Sequence, residues 1–438
     1  MELEGNNTVL ALLGFAMIAT FMVLIMTRRL SAAVALIIIP IVFGLLSGHS
    51  IDMGMMIIKG LMNLAPTATA LVFAVLYFAI MMDAGLFDPL VERATRFAKG
   101  DPRRVAMATS VMATLISFDG DGATTAIVTI TAFLPIYRHL GMNPLILAAL
   151  MGMANAVVNL TPWGGPTLRA ATALQLDMMD VFLPLIPVMV AGLAANFCIA
   201  WYLGTKERNR LGVVDMDTEA SHLALDREEG VVRPKLFWFN LILTVALILG
   251  VVAQLVPLPI AFMIGLAIAV TVNYPVLSEQ RDRIAAHAHN VLPIALLIFA
   301  AAVFTGIIDG TGMVAAMGGS LLAVIPDAVG PYFGVVVSLL SAPLTFIMSN
   351  DAYYFGIVPV LAETAGHYGI TPVEVARASL LGVTIHALSP LIAAIYLVAA
   401  LLDVEVGDLQ KFALPYALLV FAIMIATALL TGAVPITA

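Results

Sequence analysis

Three aspartates stand in two short polar segments, each flanked by long apolar runs. Asp119 and Asp121 lie two residues apart in the segment SFDGDGATT (residues 117–125), and Asp351 lies in the segment MSNDAYY (residues 348–354). Hard divalent cations prefer carboxylate, carbonyl and hydroxyl oxygens as ligands. These residues therefore predict a metal site composed of Asp119, Asp121 and Asp351.

Two further polar segments contain prolines and read NLTPWGGPT (residues 159–167) and HALSP (residues 386–390). Pro166 and Pro390 are typical of the first turn of a helix that restarts after a break. The free N–H groups of such a restart favour a bound carboxylate, and glycines let the backbone approach a ligand closely. The four breaks together predict a substrate-binding site, whose candidate residues are Asp119, Gly120, Asp121, Gly122, Thr124, Asn159, Thr161, Gly164, Ser349, Asn350, Asp351 and Ser389.

Some of these side chains have a simpler interpretation as helix N-caps, a common role for Asp, Ser and Thr. Capping does not explain why two aspartates stand so close together in an apolar hairpin, where a charged carboxylate normally marks an ion or proton pathway. Asp119, Asp121 and His386 are therefore candidates for proton coupling, although His386 could also be a buried core histidine. Arg169 could clamp a carboxylate or extend toward the membrane surface. The positions with the capping alternative are Asp121, Thr161, Ser349, Asp351 and Ser389.

The composition excludes a soluble enzyme. The chain has 438 residues, of which 62% are hydrophobic and 11% charged, and its mean hydropathy is +1.05. Soluble domains carry roughly a quarter charged residues, so the chain must be placed in a lipid bilayer as an all-α polytopic membrane protein. Its basic runs are too short and scattered for nucleic acid. The sequence contains no Walker loop, zinc-ligand spacing or nucleophile–base set that would support ATP-driven transport or hydrolysis.

The apolar segments predict ten membrane spans, because about 20 apolar residues are needed to cross a bilayer. Two more apolar segments, 105–136 and 331–366, are each interrupted by one of the aspartate-containing tips. Their arms of about 14 residues would reach roughly 21 Å as helix, which predicts two re-entrant hairpins. The ten predicted spans lie at 8–26, 30–48, 66–84, 144–174, 178–204, 236–254, 258–276, 291–309, 372–402 and 412–434.

The chain also aligns with itself. Asp121 matches Asp351 at an offset of 230, and Pro162 matches Pro390 at 228. With the N-terminus outside, 17 of the 20 basic residues fall on the cytoplasmic side, as the positive-inside rule requires. We therefore predict two inverted repeats, each of five spans plus one hairpin, with the site at their interface. Coincidental hydropathy symmetry is the alternative. The predicted domains are 1–204, a cytoplasmic linker at 205–235, and 236–438.

The charges of the four breaks indicate a substrate class. Three aspartates would repel a free trivalent anion, and the only nearby positive charges in the sequence are Arg169 and, when protonated, His386. The helix restarts nevertheless favour an anion. A complex of a divalent metal with a carboxylate satisfies both demands.

The segments 117–125, 159–166 and 349–354 resemble those of the bacterial citrate–metal–proton symporter family (CitMHS), and the resemblance covers essentially the whole chain. It implies uptake of citrate complexed with a divalent cation such as Mg²⁺ or Ca²⁺, together with protons. It also implies that no cofactor is permanently bound and that the protein resides in the bacterial cytoplasmic (inner) membrane.

The resemblance extends to the ion-transporter superfamily, whose dicarboxylate members are homodimers with scaffold and transport domains. It therefore implies a homodimer that works by an elevator mechanism. Those relatives carry Ser-Asn-Thr at both hairpin tips, whereas here the second tip reads Ser349-Asn350-Asp351 and the first is acidic. This departure favours metal or proton coupling over sodium coupling. The alternatives are another carboxylate transporter or a cation/proton antiporter on the same fold, and, from a different class, a membrane-embedded sensor or scaffold protein.

Overall fold

A computed structural model describes residues 2–89, 93–94, 97, 100–120, 122–213, 230–322, 325–326 and 328–437, with the backbone alone for residues 2–6, 26, 119 and 290. Within these ranges the regular secondary structure is entirely helical, which confirms the predicted all-α class. The predicted linker lies mostly outside the described residues, at 214–229.

The helices of the first half are interrupted at the predicted hairpin tip and in the predicted broken helix. A reversal at Gly120 separates the two hairpin arms, and residues 159–164 separate the two parts of the broken helix. The helices are α1 Glu2–Met26, α2 Ala32–Leu46, α3 Met53–Asp83, α4 Pro102–Ile116, α5 Gly122–Leu140, α6 Pro144–Val158, α7 Gly165–Ala173, α8 Met178–Phe182 and α9 Ile186–Leu211.

The second half has a similar order of helices, and one short helix lies on each side of its third span. The helices are α10 Phe237–Val252, α11 Leu258–Asn273, α12 Leu277–Ala286, α13 Ala288–Gly310, α14 Met313–Leu322, α15 Phe333–Ile347, α16 Val358–Gly366, α17 Pro372–Leu380, α18 Val383–His386, α19 Ala393–Leu402 and α20 Val406–Leu430.

Several helices begin at a polar residue followed by proline. The Asp101 carboxylate accepts a hydrogen bond from the Arg103 N–H at the start of α4, and the Asn143 side chain accepts one from the Leu145 N–H at the start of α6. A side-chain oxygen at this position satisfies an N–H group that the helix cannot pair, and proline suits the next position because it lacks an N–H. These short signals therefore fix where the hairpin and the broken helix begin.

Seven of the described helical segments are long and apolar enough to cross a membrane, which agrees with a polytopic membrane protein. Six of them correspond to predicted spans, and the seventh, Gly330–Ile347, contains the first arm of the second predicted hairpin. The third helix is longer than the predicted span 66–84, since α3 begins at Met53 and continues through Pro66. Proline is tolerated in membrane helices because neighbouring groups can satisfy the freed backbone.

Helices α3 and α13 pack along each other at the centre of the molecule, with α11 against α3 and α2 against α13. A Cβ atom on Gly60 of α3 would lie 2.1 Å from the Ala302 carbonyl oxygen of α13, and one on Gly306 would lie 2.4 Å from the Met56 carbonyl oxygen. Small residues allow membrane helices to approach this closely. The central contact between the two halves therefore depends on glycines from both.

Candidate functional site

The first hairpin tip is a tight reversal. Helix α4 continues through a 3₁₀ turn at Ser117–Asp119, Gly120 adopts φ +80°, and α5 begins at Gly122. The Ser117 hydroxyl donates to the Ala113 carbonyl at 2.6 Å and lies 3.3 Å from the Thr125 hydroxyl, which joins the two arms. Asp121 and the side chain of Asp119 lie outside the described residues, and Thr124 occupies the first turn of α5.

The second hairpin tip is built differently. Helix α15 ends at Ile347, and the chain then forms a π-helical turn at Ala352–Ile357 before α16. The Ser349 hydroxyl accepts a hydrogen bond from the Ala352 N–H at 3.2 Å, so Ser349 acts as a cap. Insertions of this kind in a helix are frequent at functional sites because they redirect side chains.

The first broken helix is bound to the first hairpin tip. The Trp163 indole N–H donates to the Phe118 carbonyl oxygen at 2.8 Å, and the Thr167 hydroxyl donates to the Leu160 carbonyl oxygen at 3.0 Å. The turn is so tight that a Cβ atom on Gly164 would lie 2.0 Å from the Asn159 carbonyl oxygen. Glycine at this position is therefore a steric requirement of the break.

The second broken helix is bound to the second hairpin in a similar way. The Ser389 hydroxyl donates to the Phe346 carbonyl oxygen at 2.7 Å, and the His386 Nδ1 lies 2.7 Å from the Thr345 carbonyl oxygen. The prediction that Pro390 begins the restarting helix is wrong, because α19 begins at Ala393. The Ser389 hydroxyl accepts from the Leu391 N–H at 3.2 Å, and this turn delays the restart.

All four breaks meet at one cavity of about 360 Å³. This volume falls within the usual range of small-molecule sites, roughly 300–1,000 Å³. Five predicted residues line the cavity: Gly120, Gly122, Asn159, Asn350 and His386. The lining does not include the described residues Thr124, Thr161, Gly164, Ser349, Asp351 and Ser389.

Asn155 also lines the cavity, although its position in the apolar helix α6 gave no reason to select it. The signal available in the sequence was its spacing of four residues from Asn159, which places the two amides on one helix face. The Oδ1 atoms of Asn155 and Asn350 are buried, and neither has a hydrogen-bond partner among the described residues. Buried polar atoms are normally paired, so these two oxygens lack the partner that a fold usually supplies.

Arg169 reaches from the first broken helix to the second hairpin tip. Its Nε donates to Asp351 Oδ1 at 2.6 Å, and its Nη1 donates to the Gly165 carbonyl oxygen at 3.1 Å. Both charged side chains are about one-fifth exposed. One of the two roles predicted for Arg169 was to clamp a carboxylate. In the structure it does bind a carboxylate, which is the side chain of Asp351. The described residues contain no group of three His, Cys, Asp or Glu side chains that could hold a metal ion.

Trp163 packs in an aromatic cluster in addition to its hydrogen bond. Its ring centroid lies 5.1 Å from that of Phe78 on α3 and 5.3 Å from that of Phe262 on α11. Aromatic pairs at such distances stabilise contacts beyond the area they bury. The cluster therefore joins the first broken helix to two helices of the central packing.

The chain is similar to known citrate transporters along its length. A family model described as citrate transporter matches residues 7–382. A citrate transporter of Bacillus subtilis (strain 168) is 50% identical over 424 residues, covering 97% of this chain and 99% of the relative. A Mg(2+)/citrate complex secondary transporter of the same organism is 47% identical over 431 residues, covering 98% and 100% respectively.

Two solved transporter structures share the fold at low sequence identity. The Alcanivorax borkumensis YdaH transporter has a TM-score of 0.57 at 15% identity, covering 87% of this chain and 89% of its own. Neisseria gonorrhoeae MtrF has a TM-score of 0.59 at 15% identity, covering 87% and 84% respectively. At this identity the likeness concerns the fold alone.

Proposed function

Because the chain belongs to the citrate transporter family, we propose that it takes up citrate as a complex with a divalent cation, coupled to proton symport. The family and the fold are those of membrane transporters, so the chain is a multi-pass transporter and not an enzyme. The observation that carries the proposal is the cavity at which four helix breaks meet, with the Arg169–Asp351 pair spanning two of those breaks.

The ion pair suits a substrate that contains both signs of charge. Neither side chain lines the cavity, but Asp351 follows the wall residue Asn350, and Arg169 donates to the carbonyl oxygen of the wall residue Gly165. If the pair separates toward the cavity, a metal–citrate complex would present a cation to Asp351 and free carboxylates to Arg169, so both protein charges would keep an opposite charge. A free citrate would satisfy Arg169 and leave Asp351 unpaired, which is costly at a partly buried position. The pair therefore favours the complex over either component alone. When no substrate is bound, the pair neutralises itself.

The cavity wall supplies further ligands of the required kind. The buried Oδ1 atoms of Asn155 and Asn350 are hard oxygens of the type that Mg²⁺ and Ca²⁺ accept. Gly165 and Pro166, at the N-terminal end of the nine-residue helix α7, also line the cavity and place positive helix-end charge near a bound carboxylate. Asp119 and Asp121 complete the proposed metal site from the first tip.

Proton coupling follows from the same charges. Carboxylates at membrane depth are costly to move without a counter-charge, and Asp119 and Asp121 would lose theirs when the metal departs. Protonation would restore neutrality on the return step. His386 lines the cavity as well, and a carbonyl oxygen holds its Nδ1 in place. We propose that the protein is a homodimer in the bacterial inner membrane and works by an elevator motion. The hairpins and broken helices would move as a unit, because the hydrogen bonds of Trp163 and Ser389 attach each broken helix to its hairpin.

The decisive experiment is uptake of radiolabelled citrate into proteoliposomes across a panel of divalent cations, with and without an imposed pH gradient. We expect no uptake in the presence of a chelator, uptake with Mg²⁺ or a similar cation, and collapse of gradient-driven accumulation by a proton ionophore. Metal movement that does not require citrate would favour a cation/proton antiporter instead. Uptake that ignores both the gradient and the ionophore would rule out proton coupling.

A further inference from the structure

A second cavity runs along α4 and combines arginines with an apolar groove. Its volume is about 500 Å³, and its wall includes Arg93, Arg103 and Arg104 together with Phe97, Trp201 and Leu115. We propose that this groove binds an anionic phospholipid, with the phosphate at the arginines and an acyl chain along α4.

The charge of the region suits an anionic headgroup. Residues 90–104 contain five basic and two acidic residues, a net charge of +3. Asp101 is occupied by Arg104 at 3.8 Å and by Arg208 at 3.4 Å. Within the described part of the chain, neither Arg93 nor Arg103 has a carboxylate within ion-pair distance. Two guanidinium groups at the mouth of the groove are therefore available for a phosphate, which arginine binds through paired N–H groups.

The remainder of the groove suits an acyl chain. Its wall continues from Arg104 through Met107 and Val111 to Leu115, which corresponds to roughly 16 Å along a helix. Val111 and Trp201 are exposed by 39% and 53% of their surfaces, so an apolar surface lies open next to the charges. A water-soluble phosphate would use only the mouth of this groove, whereas a phospholipid would use both parts.

The groove is a built feature, because its two helices pack closely. A Cβ atom on Gly204 of α9 would lie 2.7 Å from Arg103 Cα of α4. The guanidinium of Arg103 lies 4.3 Å from the centroid of the Trp201 ring, and that of Arg104 lies 5.6 Å from the centroid of the Phe97 ring. Stacking on an aromatic ring holds an arginine in place while its N–H edges stay available. Basic pockets of this kind beside membrane helices bind anionic headgroups on the cytoplasmic side, where the positive-inside rule places these arginines.

The proposal is tested by native mass spectrometry of the full-length protein in detergent, titrated with phosphatidylglycerol or phosphatidylcholine. We expect wild type to retain phosphatidylglycerol preferentially and the double variant Arg103→Gln/Arg104→Gln to bind it about 30-fold more weakly. Val111→Trp, which fills the groove without changing charge, should also weaken binding. Arg138→Gln, at another exposed arginine on the same predicted side, is the matched control and should bind like wild type.

Three outcomes would overturn the proposal. The first is equal retention of phosphatidylglycerol by wild type and both groove variants. The second is displacement of the lipid by millimolar inorganic phosphate, which would indicate a simple anion site. The third is formation of a disulfide-linked dimer by Val111→Cys in a Cys198→Ala background, which would identify a second copy of the chain as the occupant.

Discussion

At the scale of single residues, Arg169 and Asp351 form an ion pair although they are 182 positions apart in the chain. The pair connects the first broken helix with the second hairpin tip. A charged pair of this kind keeps the site neutral without a ligand. Separating the two charges is costly unless the ligand offers an opposite charge to each of them. Under the proposed function the partners of the pair would have two roles, stability of the free protein and selection of the substrate, and these roles can be distinguished by mutation.

Arg169→Gln should lower the free energy of unfolding by about 1–2 kcal/mol, because Asp351 keeps its charge and loses its partner at a partly exposed position. The double variant Arg169→Gln/Asp351→Asn should recover most of that loss and still fail to transport citrate with metal. Thermal unfolding of the purified protein and uptake in proteoliposomes measure the two effects. Metal-dependent citrate uptake by the double variant at the wild-type rate would contradict the assigned role.

Asp119→Asn and Asp121→Asn should each abolish metal-dependent citrate uptake or change its metal preference, while the protein still inserts into the membrane. The reason is that removing a carboxylate charge weakens the binding of a divalent cation, whereas it changes the packing of the side chain very little. Asp52→Asn is the control, since Asp52 is exposed and lies at the start of α3. An unchanged metal profile in both aspartate variants would remove these residues from the site.

At the scale of elements, each broken helix is fixed to the tip of its neighbouring hairpin. Trp163 performs this role in the first half and Ser389 in the second, each by donating to a carbonyl oxygen near the end of the first hairpin arm. These carbonyl groups lie where a helix ends and lacks internal donors. The polar breaks therefore satisfy one another, and this is why they can exist inside an apolar protein.

Gly164→Ala should reduce citrate uptake at least about tenfold, because the added Cβ would clash with the Asn159 carbonyl oxygen, and relieving such a clash typically costs about 1–3 kcal/mol. Gly319→Ala in α14 is the matched control, since its Cβ would meet no atom within 4 Å. Uptake should be compared at equal amounts of inserted protein. Equal rates for the two variants would show that the geometry of this break is not required.

At the scale of the whole molecule, the central packing of α3 with α13 joins the two halves, and the cavity forms where their breaks converge. The aromatic cluster of Trp163, Phe78 and Phe262 connects this central packing to the first broken helix. The proposed elevator motion would require this cluster to rearrange, because Trp163 belongs to a broken helix that would move, whereas Phe262 lies in α11, outside the proposed moving unit of hairpins and broken helices.

The predicted topology places both termini outside and the segment 205–235 in the cytoplasm. Ala220→Cys in a Cys198→Ala background should therefore resist an impermeant thiol reagent in intact cells and react in inverted vesicles. The control is Ile51→Cys, because Ile51 is exposed between α2 and α3 and the same topology places it outside. Labelling of position 220 in intact cells would contradict the predicted orientation.

The sequence alone determined the membrane class, the positions of the four helix breaks and the family resemblance. These features are local, because hydropathy, proline and glycine act on the segment in which they stand. It also indicated the residue types at the site, and Gly120, Gly122, Asn159, Asn350 and His386 do line the cavity. The metal and proton roles of Asp119 and Asp121 stay predictions, because their side chains lie outside the described residues.

Only the tertiary structure decided which side chains pair with one another. Arg169 binds Asp351, Trp163 joins an aromatic cluster, and Asn155 lines the cavity while its buried Oδ1 has no partner among the described residues. The delayed start of α19 likewise follows from the Ser389 turn. Each of these features depends on contacts between segments that are distant in sequence, or on one local hydrogen bond among several that the same group could form. Such a choice is settled by packing, because the interior must satisfy its polar groups with whatever partners the fold brings near.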